Sequence, residues 1–201
     1  MYRFRRSIRS FANDESGAIM AEALILMPMM IWGFLALFVY WDVYRTINVA
    51  QKAAYSISDL LSRQVVVTMD FVDGLQEVLG FLTPGAQESR MRITSFEFDE
   101  GSVVQAAWDA DDTYVLLFSR SPGDAVTAHT QATIQALRPL IPVMDDLDSV
   151  VVVETWVDFA PDFDIGVLNF APGLANQTFG EFIVTRPRTR RVCLYGSPGC
   201  V

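Results

Sequence analysis

The chain has 201 residues, of which 51% are hydrophobic and 19% are charged, and its mean hydropathy is +0.27. This composition is too polar for a protein with many membrane spans, and the length allows one main folded domain with an appendage. The formal net charge of −9 at pH 7 argues against nucleic acid as a partner, because phosphate backbones attract basic surfaces.

The N-terminal part of the chain is basic and then apolar. Its first 17 residues include a group of arginines, Arg3, Arg5, Arg6 and Arg9. In the stretch 18–41 the only charged residue is Glu22, and a helix of this length is about 36 Å long against a hydrocarbon core of about 30 Å. Basic residues ahead of a first span tend to stay in the cytoplasm. We therefore predict a cytoplasmic basic leader at 1–17 and a transmembrane helix at 18–41.

The apolar stretch differs from a cleaved secretory signal. It is longer than the apolar core of about 7–15 residues that such signals have, and "FVYWDVYR" at its end offers no small-residue cleavage site. A plain membrane anchor fits the length. In that interpretation Glu22 is only a carboxylate near the end of the span that reaches the interface.

The string "SGAIMAEALILMP" supports a more specific interpretation. It resembles type IV prepilins, and in particular the TadE family, the minor pilins or pseudopilins of the tight-adherence (Flp, type IVc) pilus system. The family pattern is a glycine, a glutamate five residues later, an apolar run and a proline about six residues after the glutamate. Here these are Gly17, Glu22 and Pro28, while Ala23 stands where the family usually has an aromatic residue. The resemblance covers roughly the first 60 residues.

The resemblance implies processing and assembly. A prepilin peptidase would cleave between Gly17 and Ala18 on the cytoplasmic side and leave the apolar helix intact. A lone carboxylate in hydrocarbon is costly, so Glu22 needs a partner, and the new ammonium of Ala18 in a neighbouring subunit would supply one. Pro28 either kinks the helix or is tolerated there without a role. The implied partners are other pilins, the prepilin peptidase, inner-membrane pilus platform proteins and membrane lipid.

The helical pattern continues beyond the predicted span as an amphipathic extension at 42–64. Apolar residues recur there in steps of three and four, at Val43, Ile47, Ala50, Ala54, Ile57 and Leu61. We predict that this stripe packs either on the chain's own domain or on another pilin. Tyr40, Trp41 and Tyr44 lie where an interfacial aromatic belt is expected.

The remaining residues, 65–201, predict a periplasmic α+β domain. "TMDFVDGLQEVLGF" indicates a helix with Thr68 as its N-cap, and a second helix is predicted at 124–137. The predicted strands are 90–98, 102–108, 113–119, 149–159 and 180–188, the first three as an antiparallel meander. The expected fold is pilin-like: a long N-terminal helix, transmembrane and then amphipathic, packed on a mostly antiparallel sheet.

Cys193 and Cys200 are the only cysteines, and "CLYGSPGC" closes a short loop between them. In an oxidising compartment this spacing predicts a C-terminal disulfide loop. Free thiols are the alternative, and a metal site would need more ligands than these two. We therefore predict no metal.

Residues for catalysis are sparse. His129 is the only histidine, it falls in a predicted surface helix, and the chain has no Gly-x-Ser-x-Gly, no phosphate-binding glycine loop and no zinc-ligand cluster. We therefore predict that the protein is not an enzyme and uses no cofactor. Two acidic groups raise the question of calcium: Asp109, Asp111 and Asp112, and Asp145, Asp146 and Asp148. They lack the glycine and the distal glutamate of a calcium loop, and acidic turns between strands are the simpler explanation.

A basic group near the C-terminus consists of Arg186, Arg188, Arg190 and Arg191. If Arg186 and Arg188 lie on a strand, they share one face of it. The group would meet lipid headgroups or an acidic partner, or it would form ion pairs with the domain's own carboxylates, which we favour.

These patterns together predict a minor pilin or pseudopilin that primes or supports assembly of a tight-adherence pilus. It would cross the bacterial inner membrane once, with its C-terminal domain in the periplasm, and it could enter the pilus itself. The alternative is a membrane-anchored periplasmic binding or sensor module with a single span. In that alternative the spacing of Gly17 and Glu22 is incidental.

Overall fold

A computed structural model describes residues 16–101, 112–161, 176–197 and 200. The chain divides into two compact units. The first unit comprises Met1–Asp42 and Pro161–Leu174, and the second comprises Val43–Ala160 and Ala175–Val201.

A single α-helix, α1, runs through Ser16–Ser62 and contains 47 residues. It includes both the predicted transmembrane stretch and the predicted amphipathic extension, so the expectation of one continuous N-terminal helix is confirmed. The helix ends with a tight turn in which the Gln64 N–H donates to the Leu61 carbonyl at 3.0 Å.

The predicted apolar stripe of α1 packs on the chain's own domain. Ala50, Ala54, Ile57 and Leu61 are fully buried. Within the second unit, Ile57 and Leu61 belong to a core cluster with residues of the next helix and of the sheet, Leu75, Leu79, Met91, Ile93, Val151 and Val153. Of the two arrangements that the sequence leaves open for the stripe, packing on its own domain is the one observed.

The second helix, α2, covers Met69–Leu82 and begins as predicted. The Thr68 hydroxyl accepts a hydrogen bond from the Phe71 N–H at 3.2 Å, which satisfies one of the free amides of the first turn. At the other end the Thr83 N–H donates to the Leu79 carbonyl at 3.0 Å, and Pro84 prevents further helix.

Four antiparallel strands form the main sheet, in the spatial order β3-β2-β4-β5. They are β2 (Glu88–Asp99), β3 (Thr113–Arg120), β4 (Ser149–Phe159) and β5 (Gln177–Thr185). A small parallel sheet joins β1 (Val66–Val67) to β6 (Cys193–Leu194). The α+β layout with a mostly antiparallel sheet is therefore confirmed.

The predicted meander is wrong. The segment 102–108 lies outside the described residues, but the two strands that it was expected to separate are hydrogen-bonded to each other, with Phe98 opposite Tyr114 and Ile93 opposite Arg120. The other side of β2 pairs with β4. Alternation of side chains identifies a strand, but it does not say which strand is its neighbour.

The helix predicted at 124–137 is also wrong. The structure has a 3₁₀ turn at Pro122–Asp124, a short helix α3 at Gln131–Ile134 and a 3₁₀ segment at Gln135–Leu140. The Ser121 hydroxyl accepts the Val126 N–H at 3.1 Å and so stabilises a turn where helix was expected. Thr130 then starts α3 as an extended N-cap in a reciprocal capping box with Thr133.

Two glutamines of this region contact the outer edge of β3. The Gln131 amide accepts the Leu116 N–H at 2.8 Å and donates to the Tyr114 carbonyl. The Gln135 amide accepts the Tyr114 N–H at 3.2 Å and donates to the same carbonyl at 2.7 Å. The side-chain amides thus form the hydrogen bonds that the backbone of a neighbouring strand would otherwise form with β3.

Candidate functional site

The predicted site residues of the N-terminal segment all lie on α1. Ala18 and Glu22 are four residues apart, so their positions are about one turn apart on the same face of the helix. Glu22 is exposed, and no ion pair among the described residues includes it. The structure thus places a carboxylate on an apolar helix without a partner from the described part of the chain.

The helix around Glu22 exposes apolar side chains in every direction. Ile19, Leu24, Met30, Phe34 and Leu37 each expose between 69% and 75% of their surface. Only 6% of the most apolar window of this helix is buried, unlike the core helix of a soluble protein. Exposure of so much apolar surface to water is unfavourable by roughly 25 cal/mol per Å². By length and composition α1 is the one helix in the described residues that could cross a membrane.

Pro28 lies inside α1, and the helix continues through it. Its ring has no N–H, so the carbonyl of Leu24 lacks its usual partner four residues later. Membrane helices tolerate this where neighbouring groups satisfy the freed carbonyl. The predicted kink stays a prediction.

The predicted disulfide between Cys193 and Cys200 is confirmed. Cys193 belongs to β6, and the Tyr195 N–H donates to the Val67 carbonyl at 2.8 Å, which attaches the loop to the two-stranded sheet. The Ser197 hydroxyl donates to the Leu194 carbonyl at 2.7 Å. The disulfide closes the loop, and the backbone hydrogen bond from Tyr195 attaches the loop to the two-stranded sheet.

A groove of about 480 Å³ lies between β3 and this loop. Its lining comes from three parts of the second unit: Met69, the end of β3 (116–120) with His129, and the disulfide loop (194–197). The sequence did not point to this groove, because it forms where segments distant in the chain meet.

Sequence reasoning also missed a buried cluster of charged groups centred on Glu154. Arg92 donates to both carboxylate oxygens of Glu154, Nε to Oε2 at 2.6 Å and Nη2 to Oε1 at 2.7 Å. His129 Nε2 lies 3.2 Å from Oε2 of the same carboxylate. The exposed fractions of the three side chains are 13%, 10% and 11% for Arg92, Glu154 and His129. The Arg92 guanidinium also lies 5.4 Å from the centre of the Trp156 ring.

The sequence predicted that His129 lies on a surface helix, and this prediction is wrong. His129 precedes the N-cap of α3 and inserts its ring against Glu154. Burial lowers the pKa of His129 below 6.5, the positive charge of Arg92 lowers it further, and Glu154 partly opposes both effects. The imidazole is therefore neutral at pH 7. Its other nitrogen, Nδ1, lies 3.1 Å from the Thr133 hydroxyl, which is engaged in the helix cap. The cluster ties the loop before α3 to the sheet.

Three of the four arginines in the basic group form ion pairs within the domain, the arrangement that we favoured. Arg186 pairs with Asp148 at 3.0 Å, Arg188 with Asp59 at 3.1 Å, and Arg191 with Glu97 at 3.8 Å. The expected strand face is wrong, because β5 ends at Thr185 and both Arg186 and Arg188 follow it. The pKa of Asp59 is lowered, first by its hydrogen bond from Arg63 and then by the charges of both neighbouring arginines.

The carboxylates of Asp146 and Asp148, in the second acidic group, accept backbone N–H groups in turns. The Asp145 N–H donates to the Asp148 carboxylate at 3.1 Å, and the Glu100 N–H donates to the Asp146 carboxylate at 3.2 Å. Asp109 and Asp111 lie outside the described residues. Across the described ranges no group of His, Cys, Asp and Glu side chains has the arrangement of a metal site.

No protein-family model matches the chain, and neither a curated protein nor a solved structure shows significant similarity to it. Its function is therefore argued from the chain's own residues. The observations of most weight are the exposed apolar helix and the position of Glu22 on it.

Proposed function

We propose that this protein is a TadE-like minor pilin or pseudopilin that primes or supports assembly of a tight-adherence pilus. The observation that carries the proposal is the first part of α1: residues 19–32 are exposed on all sides and apolar apart from Glu22, which lies five residues after Gly17 and forms no ion pair in the described part of the chain. The folded unit that follows would lie in the periplasm. The chain would act through contacts with other pilins and platform proteins and would be a substrate of the prepilin peptidase.

The proposed pairing follows from the cost of an isolated charge. An acidic residue at the centre of a membrane helix costs about 2.5–3.5 kcal/mol, and Glu22, nearer the end of the predicted span, would cost part of this. Cleavage after Gly17 creates an ammonium at Ala18, one turn from Glu22. Staggered helices can then join the Glu22 carboxylate of one subunit to the Ala18 ammonium of the next. The charge that is unfavourable in a lone helix becomes favourable between helices and sets their register.

The first test is the mass of the N-terminal peptide of the protein recovered from membranes of its own host. Because the peptidase would cut after Gly17, we expect the mature chain to begin at Ala18. A chain that still begins at Met1 in cells with an active prepilin peptidase would contradict the proposal. A host strain without that peptidase is the control.

The second test replaces Glu22. We expect Glu22→Ala to insert into the membrane normally but to lower co-isolation with other pilins on the order of tenfold, which corresponds to about 1.4 kcal/mol. Glu22→Gln keeps the shape without the charge and should have a similar effect. Leu26→Ala, one turn further along the same face, is the matched control and should assemble.

A single-span anchored binding or sensor module is the second candidate, and the groove beside the disulfide loop favours it. A volume of about 480 Å³ falls in the range of about 300–1,000 Å³ that ligand pockets occupy. In this candidate Glu22→Ala is harmless and the chain keeps its leader. The two experiments above therefore separate the candidates.

A further inference from the structure

The last turn of α2 presents an aromatic ring to solvent. Phe81 exposes 82% of its surface, the largest fraction among the exposed large hydrophobic side chains of the described residues. It lies in a stretch, 78–87, that contains no charged residue and is bounded by Glu77 and Glu88. We call residues 78–87 the uncharged segment. A segment of this kind suits an apolar or interfacial partner better than a charged one.

Hydrogen bonds close the uncharged segment from within. The Thr83 hydroxyl donates to the Leu79 carbonyl at 2.8 Å, and the Thr83 N–H donates to the same carbonyl at 3.0 Å. The Ala86 N–H donates to the Thr83 carbonyl at 3.1 Å. The Gln87 N–H donates to the Asp158 carbonyl at 2.9 Å and attaches the segment to β4. Polar groups that are paired internally lose little when water is removed from around them.

Contacts of α1 with the end of β5 fix the direction in which the helix lies along the sheet. The Ser58 and Thr185 hydroxyls are hydrogen-bonded to each other. Four residues further along α1, the Ser62 carbonyl accepts the Arg188 N–H at 2.8 Å. The helix and the chain through β5 therefore advance in the same direction. It follows that α1 enters the second unit at the end of the sheet where β5 begins.

The uncharged segment joins β2 at that same end of the sheet. Thr178, near the start of β5, is opposite Asp158, and Asp158 is also opposite Glu88, the first residue of β2. Thr178 is seven residues before Thr185, or about 24 Å at 3.4 Å per residue. The same distance along α1 is about 16 residues at 1.5 Å per residue, which leads from Ser58 back to the end of the predicted span.

The helix α2 advances toward this end as well. Its first residue, Met69, lines the groove beside the end of β3, which is paired with the middle of β2. Further along α2, the Gln76 amide donates to the carbonyl of Ser89, near the start of β2, at 2.6 Å. The last turn of α2, which carries Phe81, therefore lies at the end of the sheet where α1 enters the second unit.

The part of α1 at this height carries the predicted aromatic belt. Tyr40, Trp41 and Tyr44 expose 50%, 71% and 65% of their surface. Aromatic residues at the end of a span are typical of the interface between lipid headgroups and hydrocarbon. We propose that Phe81 and the uncharged segment lie in this same interface, so that the lipid surface is the partner of this end of the second unit.

A lipid contact of Phe81 attaches the second unit to the bilayer at two points, α1 and α2, so the unit cannot turn freely about α1. The contact rests on a membrane-spanning α1, which both candidate functions share. It does not depend on cleavage after Gly17 or on a pairing of Glu22.

Photo-crosslinking identifies what Phe81 meets. The full chain carries p-benzoylphenylalanine in place of Phe81 and is reconstituted in nanodiscs of phosphatidylcholine, since the carboxylates of Glu77 and Glu88 would repel anionic headgroups. Mass spectrometry of the labelled peptide distinguishes a lipid adduct from a crosslink to protein. We expect the lipid adduct from Phe81 to exceed roughly fivefold that from the same amino acid at Val143. Val143 is the matched control, because it exposes 79% of its surface and its carbonyl binds Arg186, beyond the other end of β5.

The same amino acid at Met30 is the reference for membrane insertion. Met30 lies within the predicted span and exposes 75% of its surface. It should give a lipid adduct wherever α1 crosses the bilayer, whatever the second unit contacts.

A negative charge in the uncharged segment tests the contact with Phe81 itself replaced. Phe81→Asp should lower roughly threefold or more the lipid adduct formed from the photo-reactive amino acid at Gln87, because a carboxylate favours water over the interface. Phe81→Leu keeps an apolar side chain and should retain the adduct. Met69→Asp, an exposed apolar residue changed in the same way in the first turn of α2, should leave it unchanged.

The proposal is overturned if Phe81 crosslinks to a second copy, or if it gives no lipid adduct while Met30 does. It is equally overturned if Phe81→Asp leaves the Gln87 adduct unchanged. If Met30 also fails to reach lipid, the span itself is excluded and this contact with it. Uncleaved chains and Glu22→Ala chains should still give the Phe81 adduct, so failure of the pilin proposal and failure of this contact are distinguishable.

Discussion

Glu154 is the residue on which the interior charges of the second unit converge. Arg92 and Glu154 are directly opposite each other on β2 and β4, a position in which opposite charges stabilise an antiparallel pair. His129 approaches the same carboxylate from the loop before α3. Removing one partner of a buried ion pair is strongly destabilising, about 3–5 kcal/mol in typical cases, because the other charge is left buried alone.

The lowered pKa of His129 makes stability depend on pH. Below pH 6.5 the unfolded chain binds a proton at this histidine more readily than the folded chain does. The free energy of unfolding of the second unit should therefore fall as the pH decreases below 6.5. Urea unfolding at a series of pH values measures this slope. His129→Gln, which keeps a side-chain N–H donor to Glu154 but does not titrate, should reduce the slope just below pH 6.5.

A single histidine makes this prediction easy to check independently. The NMR signal of the imidazole Cε1–H can come only from His129, since the chain has one histidine. A titration midpoint at or above 6.5 in the folded protein would contradict the assigned effect of burial and Arg92.

At the scale of elements, the second half of α1 contributes Ala53, Ile57 and Leu61 to the core cluster that it shares with α2 and the sheet. Ile57 is fully buried among α2 and the sheet, whereas Tyr55 exposes 62% of its surface on the same helix. We expect Ile57→Ala to lower the free energy of unfolding by about 2–5 kcal/mol, because it leaves a cavity. Tyr55→Ala should change it by no more than about 0.5 kcal/mol. Urea unfolding of both variants under the same conditions measures the difference.

The elements that the sequence predicted correctly are those with a local signal. The stripe from Val43 to Leu61, the N-cap at Thr68 and the run of valines in β4 each depend on neighbouring residues only. The helix predicted at 124–137 failed because long-range bonds decided the outcome. The Ser121 hydroxyl donates to the Met91 carbonyl of β2 at 2.7 Å while it holds a turn, and this partner is 30 residues away.

The candidate sites also divide into those with a local sequence signal and those formed by distant segments. The spacing of Gly17, Glu22 and Pro28 is visible in the sequence, and so is that of Cys193 and Cys200. The Glu154 cluster and the groove depend on strand order and on packing between distant segments. Periodicity carries no information about either, so no pattern in the chain indicated that Arg92 and Glu154 would be neighbours.

At the scale of the whole molecule, the disulfide provides a test of the proposed orientation in a membrane. If the second unit lies outside the cytoplasm, Cys193 and Cys200 should resist alkylation in intact cells until a reductant is added. The arginines that should set this orientation are Arg3, Arg5, Arg6 and Arg9. Replacing these arginines by serine should raise severalfold the fraction of chains whose Cys193 and Cys200 are alkylated without added reductant. Arg63→Ser, in the second unit, is the control and should leave that fraction unchanged.

The two glutamines on β3 limit how copies of this protein can associate. An open strand edge invites another strand, and growth by that route leads to continuous sheets that are difficult to take apart. The amides of Gln131 and Gln135 already satisfy the outward N–H and C=O groups of Tyr114 and the outward N–H of Leu116. Along this edge a second copy gains no backbone hydrogen bonds at these residues. At this part of the edge only contacts through side chains are left to a second copy, and such contacts can dissociate and form again.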